Sequence, residues 1–474
     1  MGRRETVGRL KTMGRALKRS ELRVNGGRLW SRLMAMAEIG ATVNGGCNRQ
    51  ALTDADLEGR RLLCTWAQAA GCTVRTDEIG NLFLRRAGSD ASLPVVMTGS
   101  HLDTQPTGGK FDGVYGVLAG LEVIETLNER AVATRHPLEL CVWCNEEGSR
   151  FPMAMMGSAV WAGRLPLEDA YALTDRAGIS VRSELERLGV VVHSGHSGSV
   201  AHSGSVADAA TVADAASVAH LESVAHRGSV AGSAGTLAAA RRSARQPVKA
   251  SLEVHIEQGP VLEQRAATIG VVTGVQHMSR HEVLVIGQEA HAGPTPMQLR
   301  RDPVRVLAQA LPQLYAFTES LGSEARFTVG VIETRPGSPN TVPGSLRFTV
   351  DVRHPDAQRY AALKAAVHET VRAALETHAL EGEVRCVWEA PGVTFDANCV
   401  AAVRSATEAL GLTAIDMVSG AGHDSCNVAA AAPTAMVFVP CAGGLSHNEA
   451  ESATAADLAA GADVLLHAML ALSD

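Results

Sequence analysis

The chain has 474 residues, 46% of them hydrophobic and 20% charged, with a net charge of −7. This is the composition of a globular protein, and the length exceeds one ordinary core, so two domains are expected. The acidic balance gives no electrostatic case for nucleic acid, no apolar run approaches the roughly 18 residues of a membrane span, and no hydrophobic signal segment opens the chain. The nine cysteines are scattered and odd in number, which favours reduced thiols in a cytoplasmic protein over a disulfide framework.

In chain order, residues 1–25 form a basic leader, rich in arginine between Arg3 and Arg23. It reads as a transit peptide, as residues translated from an upstream start, or as a frayed helix, and carries no assigned function. Two helices follow, over Gly27–Ile39 and Thr53–Ala70, with Thr53 and Asp54 as candidate caps. Val74 and Ile79–Leu84 read as strands around a Gly-Asn turn. The apolar run from Val95 to Thr98 is a buried strand, and Val114, Val117, Leu118, Leu121, Ile124 and Leu127 have helical spacing. Between them a Gly-rich loop carries His101, Asp103 and Asp112. Imidazole and carboxylate at a strand end suit a divalent metal; taken alone, the loop also suits an ordinary polar turn.

A further strand, Leu138–Cys144, ends in Asn145-Glu146-Glu147. Successive side chains of an extended segment point apart, so one carboxylate can hold a metal while its neighbour faces the reacting groups. The Cys141-Val-Trp-Cys144 pattern lies inside this strand, where the two thiols face opposite sides and read as core. Residues 190–250 hold a low-complexity insertion with six valine-bearing hexads over 197–232, expected to be a solvated segment. Order returns at Leu252-Glu-Val-His255-Ile-Glu-Gln258. From 276 to 394 the pattern becomes β-α-β-β-α-β, with strands at 281–287, 326–333, 346–353 and 383–388 and helices at 302–321 and 357–378. That order predicts a ferredoxin-like inserted domain. The α/β pattern then resumes with helix Cys399–Leu410, the loop Ser419–Asp424, strand Thr434–Val439, Ser446-His447 and helix Ala455–Leu472.

His101, Asp112, Glu147, His255 and His447 each follow, or sit at, the end of an apolar strand. A parallel sheet gathers all five along one edge, enough for two divalent ions sharing a bridging carboxylate. Glu146 then stands beside the pair as a base.

The stretches GSHLDTQPTGGKFDGVYGVLAGLE, CNEEGSRFPMAMMGSAVWAG, HIEQGPVLE, AHAGPTPMQLRRD, SPNTVPGSLRFTVDVRHPD, SGAGHDS and GLSHNEAE resemble those of the di-metal aminoacylase and carboxypeptidase superfamily. Within it the chain resembles the hydantoinase/carbamoylase amidohydrolases: N-carbamoyl-L-amino acid hydrolases, β-ureidopropionase and allantoate amidohydrolase. The resemblance implies a di-metal α/β hydrolase domain over 26–275 and 395–474, with a mixed, largely parallel sheet. It also implies a ferredoxin-like lid and dimerisation domain over 276–394. His101 and His255 would hold one ion, Asp112 would bridge, and Glu147 and His447 would complete the second site. Asp103 would orient His101, and Glu146 would be general base and proton donor. His291 would donate to the oxyanion across a homodimer interface. Arg353 would clamp the substrate carboxylate, Gln258 and Asn340 would hydrogen-bond the ureido group and carboxylate, and the loop around Gly422 and His423 would line the pocket. Gln105, Thr107, Ser425 and Cys426 depart from the familiar pattern. The implied cofactors are two divalent ions per subunit: zinc, or manganese, cobalt or nickel. The implied substrate is a small carbamoyl or ureido compound. Allantoate amidohydrolase, a peptidase of the superfamily, and a non-catalytic metal-binding or scaffold protein are the competing readings.

Overall fold

The computed structural model describes residues 21–190 and 247–474. The basic leader up to residue 20 and the hexads at 197–232 lie outside the described residues.

The fold is a mixed α/β one built on a nine-stranded sheet. Its order is Thr73–Thr76, Leu82–Arg86, Leu138–Trp143, Val95–His101, Val248–Ile256, Thr434–Val439, Ile269–Val275 and Val393–Thr394, and Ala414–Ser419 also pairs with Ile269–Val275. Leu138–Trp143, Val95–His101, Val248–Ile256 and Thr434–Val439 run parallel to one another, and antiparallel strands flank them. Every residue of Val95–His101, Leu138–Trp143 and Thr434–Val439 is buried, because helices cover both faces of the sheet. On one face, helices Gly26–Ala37, Val114–Glu129, Ala397–Ala409 and Ala455–Ser473 close the main core. On the other, Phe83, Met97, Cys141 and Trp143 pack with Val428 and Ala432.

Cys141 and Cys144 enter different clusters, as alternate faces of a strand require. All nine cysteines are free. Thr53 caps helix Asp54–Ala69 by accepting from the Asp56 N–H. The second strand begins at Leu82 and not at Ile79, since Asp77 accepts from both the main chain and the side chain of Asn81 and holds 77–81 as a turn.

The expectation that no apolar run approaches a membrane span needs correction. Helix Ala455–Ser473 has a mean hydropathy of 1.5 over 18 residues, but half of that window is buried. It packs on the sheet and on helices Val114–Glu129 and Ala397–Ala409, the surroundings of a core helix.

A separate four-stranded antiparallel sheet has the order Glu381–Ala390, His277–Ile286, Ser345–His354, Arg326–Arg335. Helices Val304–Ser320 and Ala357–His378 pack on one of its faces around Val283, Leu314, Phe348, Val350, Leu363 and Val367. Strand Ser345–His354 alternates buried and half-buried along its whole length, so one face meets the helices and the other does not. The sequence of elements is β-α-β-β-α-β.

Candidate metal centre

Parallel strands place their carboxyl ends on one edge. His101 closes Val95–His101, His255 lies one residue before the end of Val248–Ile256, and Glu146 and Glu147 lie on the turn after Leu138–Trp143. Asp112 precedes helix Val114–Glu129, and His447 lies beyond Thr434–Val439.

Asp112 is the hub. Its Oδ1 is 3.1 Å from His255 Nε2 and 3.7 Å from His101 Nε2. Its Oδ2 is 3.3 Å from His447 Nε2, which is 3.4 Å from Glu147 Oε2. Two groups therefore share one carboxylate: His101, Asp112 and His255, and Asp112, Glu147 and His447. Within each, the potential ligand atoms lie within 4.8 Å of one another. Glu146 Oε2 stands 3.7 Å from His101 Nε2, while Glu147 faces His447. Adjacent residues thus serve different places.

Local geometry explains the convergence. Gly113 has φ +68°, and a Cβ there would sit 2.3–2.5 Å from the His101 ring, so only glycine lets the loop close over that imidazole. His101 Nδ1 pairs with the Asp103 carbonyl at 2.8 Å, and His255 Nδ1 with the Ile256 carbonyl at 2.9 Å. Each bond fixes the tautomer with Nε2 turned inward. Asp103 meets His101 through its main-chain carbonyl, and the nearer carboxylate oxygen is 3.9 Å from Nδ1. The carboxylate instead accepts the Glu146 and Glu147 N–H groups, each at 3.2 Å.

Buried carboxyl groups crowd this edge. Burial, then the charges of Asp424, Glu147, Asp103 and Asp112, push Glu146 well above the usual carboxylate range. Burial and Asp112 push Glu147 up to about 8. Burial would also raise Asp112, yet hydrogen bonds from His255 and His447 hold it well below its ordinary value. Burial would lower His255, but Asp112 outweighs it and pushes the imidazole up to about 9. His101 is pulled down, chiefly by burial. A buried set of carboxylates and imidazoles competing for too few protons is a donor set that divalent cations satisfy, so the residues fit two such ions.

The remaining expected residues are placed less uniformly. Gln258 donates through Nε2 to Asp112 Oδ2 at 2.9 Å, while its Oε1 is buried without a partner. Gly422 lies against Met155 and Met278. Arg353 donates to both oxygens of Asp351, at 2.7 and 3.2 Å, and to the Gly420 carbonyl at 2.9 Å. His291 and Asn340 are exposed and sit together on a two-stranded ribbon, Ala290–His291 with Thr341–Val342. Among the described residues no hydrogen bond or ion pair joins them to the cluster.

Several supporting residues escaped the sequence reading. Glu451 accepts the Phe111 and Asp112 N–H groups at 2.9 and 3.1 Å and the Ser446 hydroxyl at 2.9 Å, tying the Asp112 loop to the His447 loop. Its signal was an acid just past a candidate ligand. Glu253, beneath His255, accepts from the hydroxyls of Ser100 and Ser425, both at 2.7 Å. His423, which the sequence reading did name, is buried, and its ring meets His255 edge-on with centroids 4.7 Å apart.

Residues 97–471 match the model of peptidase family M20/M25/M40. The chain is 41% identical to an N-carbamoyl-L-amino-acid amidohydrolase of Rhizobium meliloti, over 94% of this chain and 96% of that protein. It is 30% identical to an allantoate amidohydrolase of Bacillus subtilis, over 91% and 93% respectively. A crystal structure of a hydantoinase/carbamoylase family amidase from Burkholderia multivorans is 44% identical with a TM-score of 0.79, covering 95% of this chain and 98% of that one.

Proposed function

Because the chain belongs to peptidase family M20/M25/M40, and within it to the hydantoinase/carbamoylase amidohydrolases, we propose that it hydrolyses the ureido carbon–nitrogen bond of N-carbamoyl-L-amino acids. The observation that carries the reading is Asp112 shared between His101 and His255 on one side and Glu147 and His447 on the other, with Glu146 alongside. His101, Asp112, Glu147, His255 and His447 would hold two divalent ions, zinc or else manganese, cobalt or nickel. When bound, the ions supply Lewis acidity that polarises a carbonyl and acidifies water.

The chain's own residues do the rest. Glu146 takes a proton from the attacking water at its carboxylate and later delivers it to the departing nitrogen. Its place suits that duty, since Oε2 stands 3.7 Å from His101 Nε2, at the edge of the cluster. The water oxygen bonds to the ureido carbon, the bond to the terminal nitrogen breaks, ammonia leaves, and the carbamate loses carbon dioxide to give the free amine. Asp103 keeps Glu146 in place through the main chain. Arg353 is the candidate clamp for the substrate carboxylate: among the described residues three of its five N–H donors are engaged, which leaves two for a bidentate contact. Gln258 and Asn340 remain candidates for the ureido and carboxylate ends, and Gly422 for the pocket wall. His291 would stabilise the oxyanion from the partner subunit of a homodimer formed through 276–394, which accords with its exposure. On this reading 26–275 with 395–474 is the catalytic domain and 276–394 the lid. The nine free cysteines accord with a cytoplasmic location.

The test is ammonia release from N-carbamoyl-L-methionine, N-carbamoyl-β-alanine, allantoate and a dipeptide, with metal-stripped protein reloaded with manganese or zinc. Turnover of a carbamoyl amino acid, abolished in Glu146→Gln, is the expected result. Turnover of allantoate alone would favour the second reading, to which the Bacillus subtilis relative points. Silence on every substrate with both ions bound would overturn the proposal.

A further inference from the structure

Gln105, one of the departures noted in the first loop, has an unexpected partner. Its main-chain N–H donates to Glu147 Oε1 at 3.1 Å and its side-chain Nε2 to Glu147 Oε2 at 2.7 Å. Both oxygens of that carboxylate are therefore gripped by one residue, and Oε2 also faces His447 Nε2 at 3.4 Å. The grip is built in. The neighbouring Thr104 is tied by its hydroxyl to the Arg49 N–H at 2.8 Å, and its carbonyl accepts from Ser149 at 3.2 Å. The Gln105 carbonyl accepts the Gly108 N–H at 3.2 Å. The amide reaches Glu147 from a fixed backbone, at little entropic cost. Asp103, two residues earlier, holds the main chain of the same Glu146-Glu147 pair. Residues 103–105 thus grip the dipeptide twice, by its backbone and by one side chain.

We infer that Gln105 is a positioning residue that orients Glu147 for the second divalent ion and sets that ion's affinity without touching the first site. The inference rests on the di-metal reading above. A neutral amide suits the task. It spends one lone pair of Oε2 and leaves the others for a cation, and it keeps its hydrogens at any working pH. A lysine or arginine there would neutralise the carboxylate and compete with the ion. An apolar residue would leave Glu147 held by its main-chain contact alone. Hydrogen-bond partners of metal-binding side chains typically contribute 10–100-fold in affinity.

The experiment titrates metal-stripped protein with manganese and with zinc and counts bound ions by elemental analysis, for wild type, Gln105→Met, Glu147→Gln and the double variant. Wild type is expected to bind two ions. Gln105→Met should keep one at wild-type affinity and bind the other about 10–100-fold more weakly, with kcat restored by excess metal. Gln105→Met should add nothing to Glu147→Gln, since its partner is already gone. Equal weakening of both ions, an unchanged second ion, or additive losses in the double variant would overturn the inference. Wild type binding fewer than two ions would overturn it together with the di-metal reading. Two ions in wild type without turnover of any carbamoyl substrate would sink the proposed function alone, and the metal counts would still decide the role of Gln105. If Gln105→Met fails to fold, Gln105→Ala, which removes the side-chain amide without adding charge or bulk, should weaken the same ion selectively.

Discussion

Replacing Gly113 by alanine tests the geometry of the cluster most directly. The Cβ would stand 2.3, 2.4 and 2.5 Å from Cε1, Nε2 and Cδ2 of His101, where ordinary contact begins at 3.4 Å. The ring must withdraw by about 1 Å, or the loop carrying Asp112 must lift by as much. Neither move is easy. His101 is 2% exposed and tied to the Asp103 carbonyl, while the main-chain N–H of Asp112 is pinned by Glu451. Positive φ at a non-glycine residue adds about 1–2 kcal/mol of strain. The displaced atom is the inward-facing Nε2, which on the proposed function is a ligand of the first ion. A misplacement of about 1 Å near reacting groups can cost about 100-fold in rate. Gly113→Ala should fold, lose the first ion in a metal count, and lose about 100-fold in kcat/KM for ammonia release. A variant with two tightly bound ions and wild-type turnover would refute the placement of His101 against this loop.

Glu146→Gln should retain both ions by elemental analysis yet lose about 100–10,000-fold in kcat, the range for a general acid–base group. Dialysis against a chelator should abolish ammonia release, and a divalent ion should restore it; activity surviving full removal would contradict the metal-dependent reading. Asp103→Ala leaves two N–H groups unpaired and should destabilise the fold by about 2–4 kcal/mol in chemical denaturation, while His101 keeps its bond to the residue 103 carbonyl. In the four-stranded unit, His281 is lowered to about 4 by burial, then by His368 and Lys364, with Glu389 and Asp351 opposing. The unfolded chain then binds more protons than the folded one between about pH 6.5 and 4. Its contribution is present in full above about pH 6.5 and is lost as pH falls through about 4. His281→Leu should flatten the fall of the denaturation midpoint over that window; an unchanged slope would remove His281 as its source.

Much of the fold was legible because its signals are local. Apolar runs marked the buried strands Val95–His101 and Thr434–Val439, and a 3.6-residue period marked helices Val114–Glu129 and Ala357–His378. The boundaries that slipped lie where a side chain captures the backbone, as Asp77 does with Asn81. The last helix has the length and hydropathy of a membrane helix because a core helix and a membrane helix share a composition and differ only in what surrounds them.

The available chemistry could be read along the chain: three histidines, paired glutamates and an aspartate, each at or after the end of an apolar strand. Strand period and loop composition are properties of adjacent residues, so no distant contact is needed to see them. Tertiary structure alone decided how those groups are used. It made the Asp103 carbonyl and not its carboxylate the partner of His101, brought Glu451 across 339 positions to hold Asp112, and turned Gln105 onto Glu147. It also left His291 and Asn340 exposed at a two-stranded ribbon, outside the cluster's hydrogen bonds among the described residues. A hydrogen bond depends on the position of two atoms to within a few tenths of an ångström, and only the packed chain fixes that.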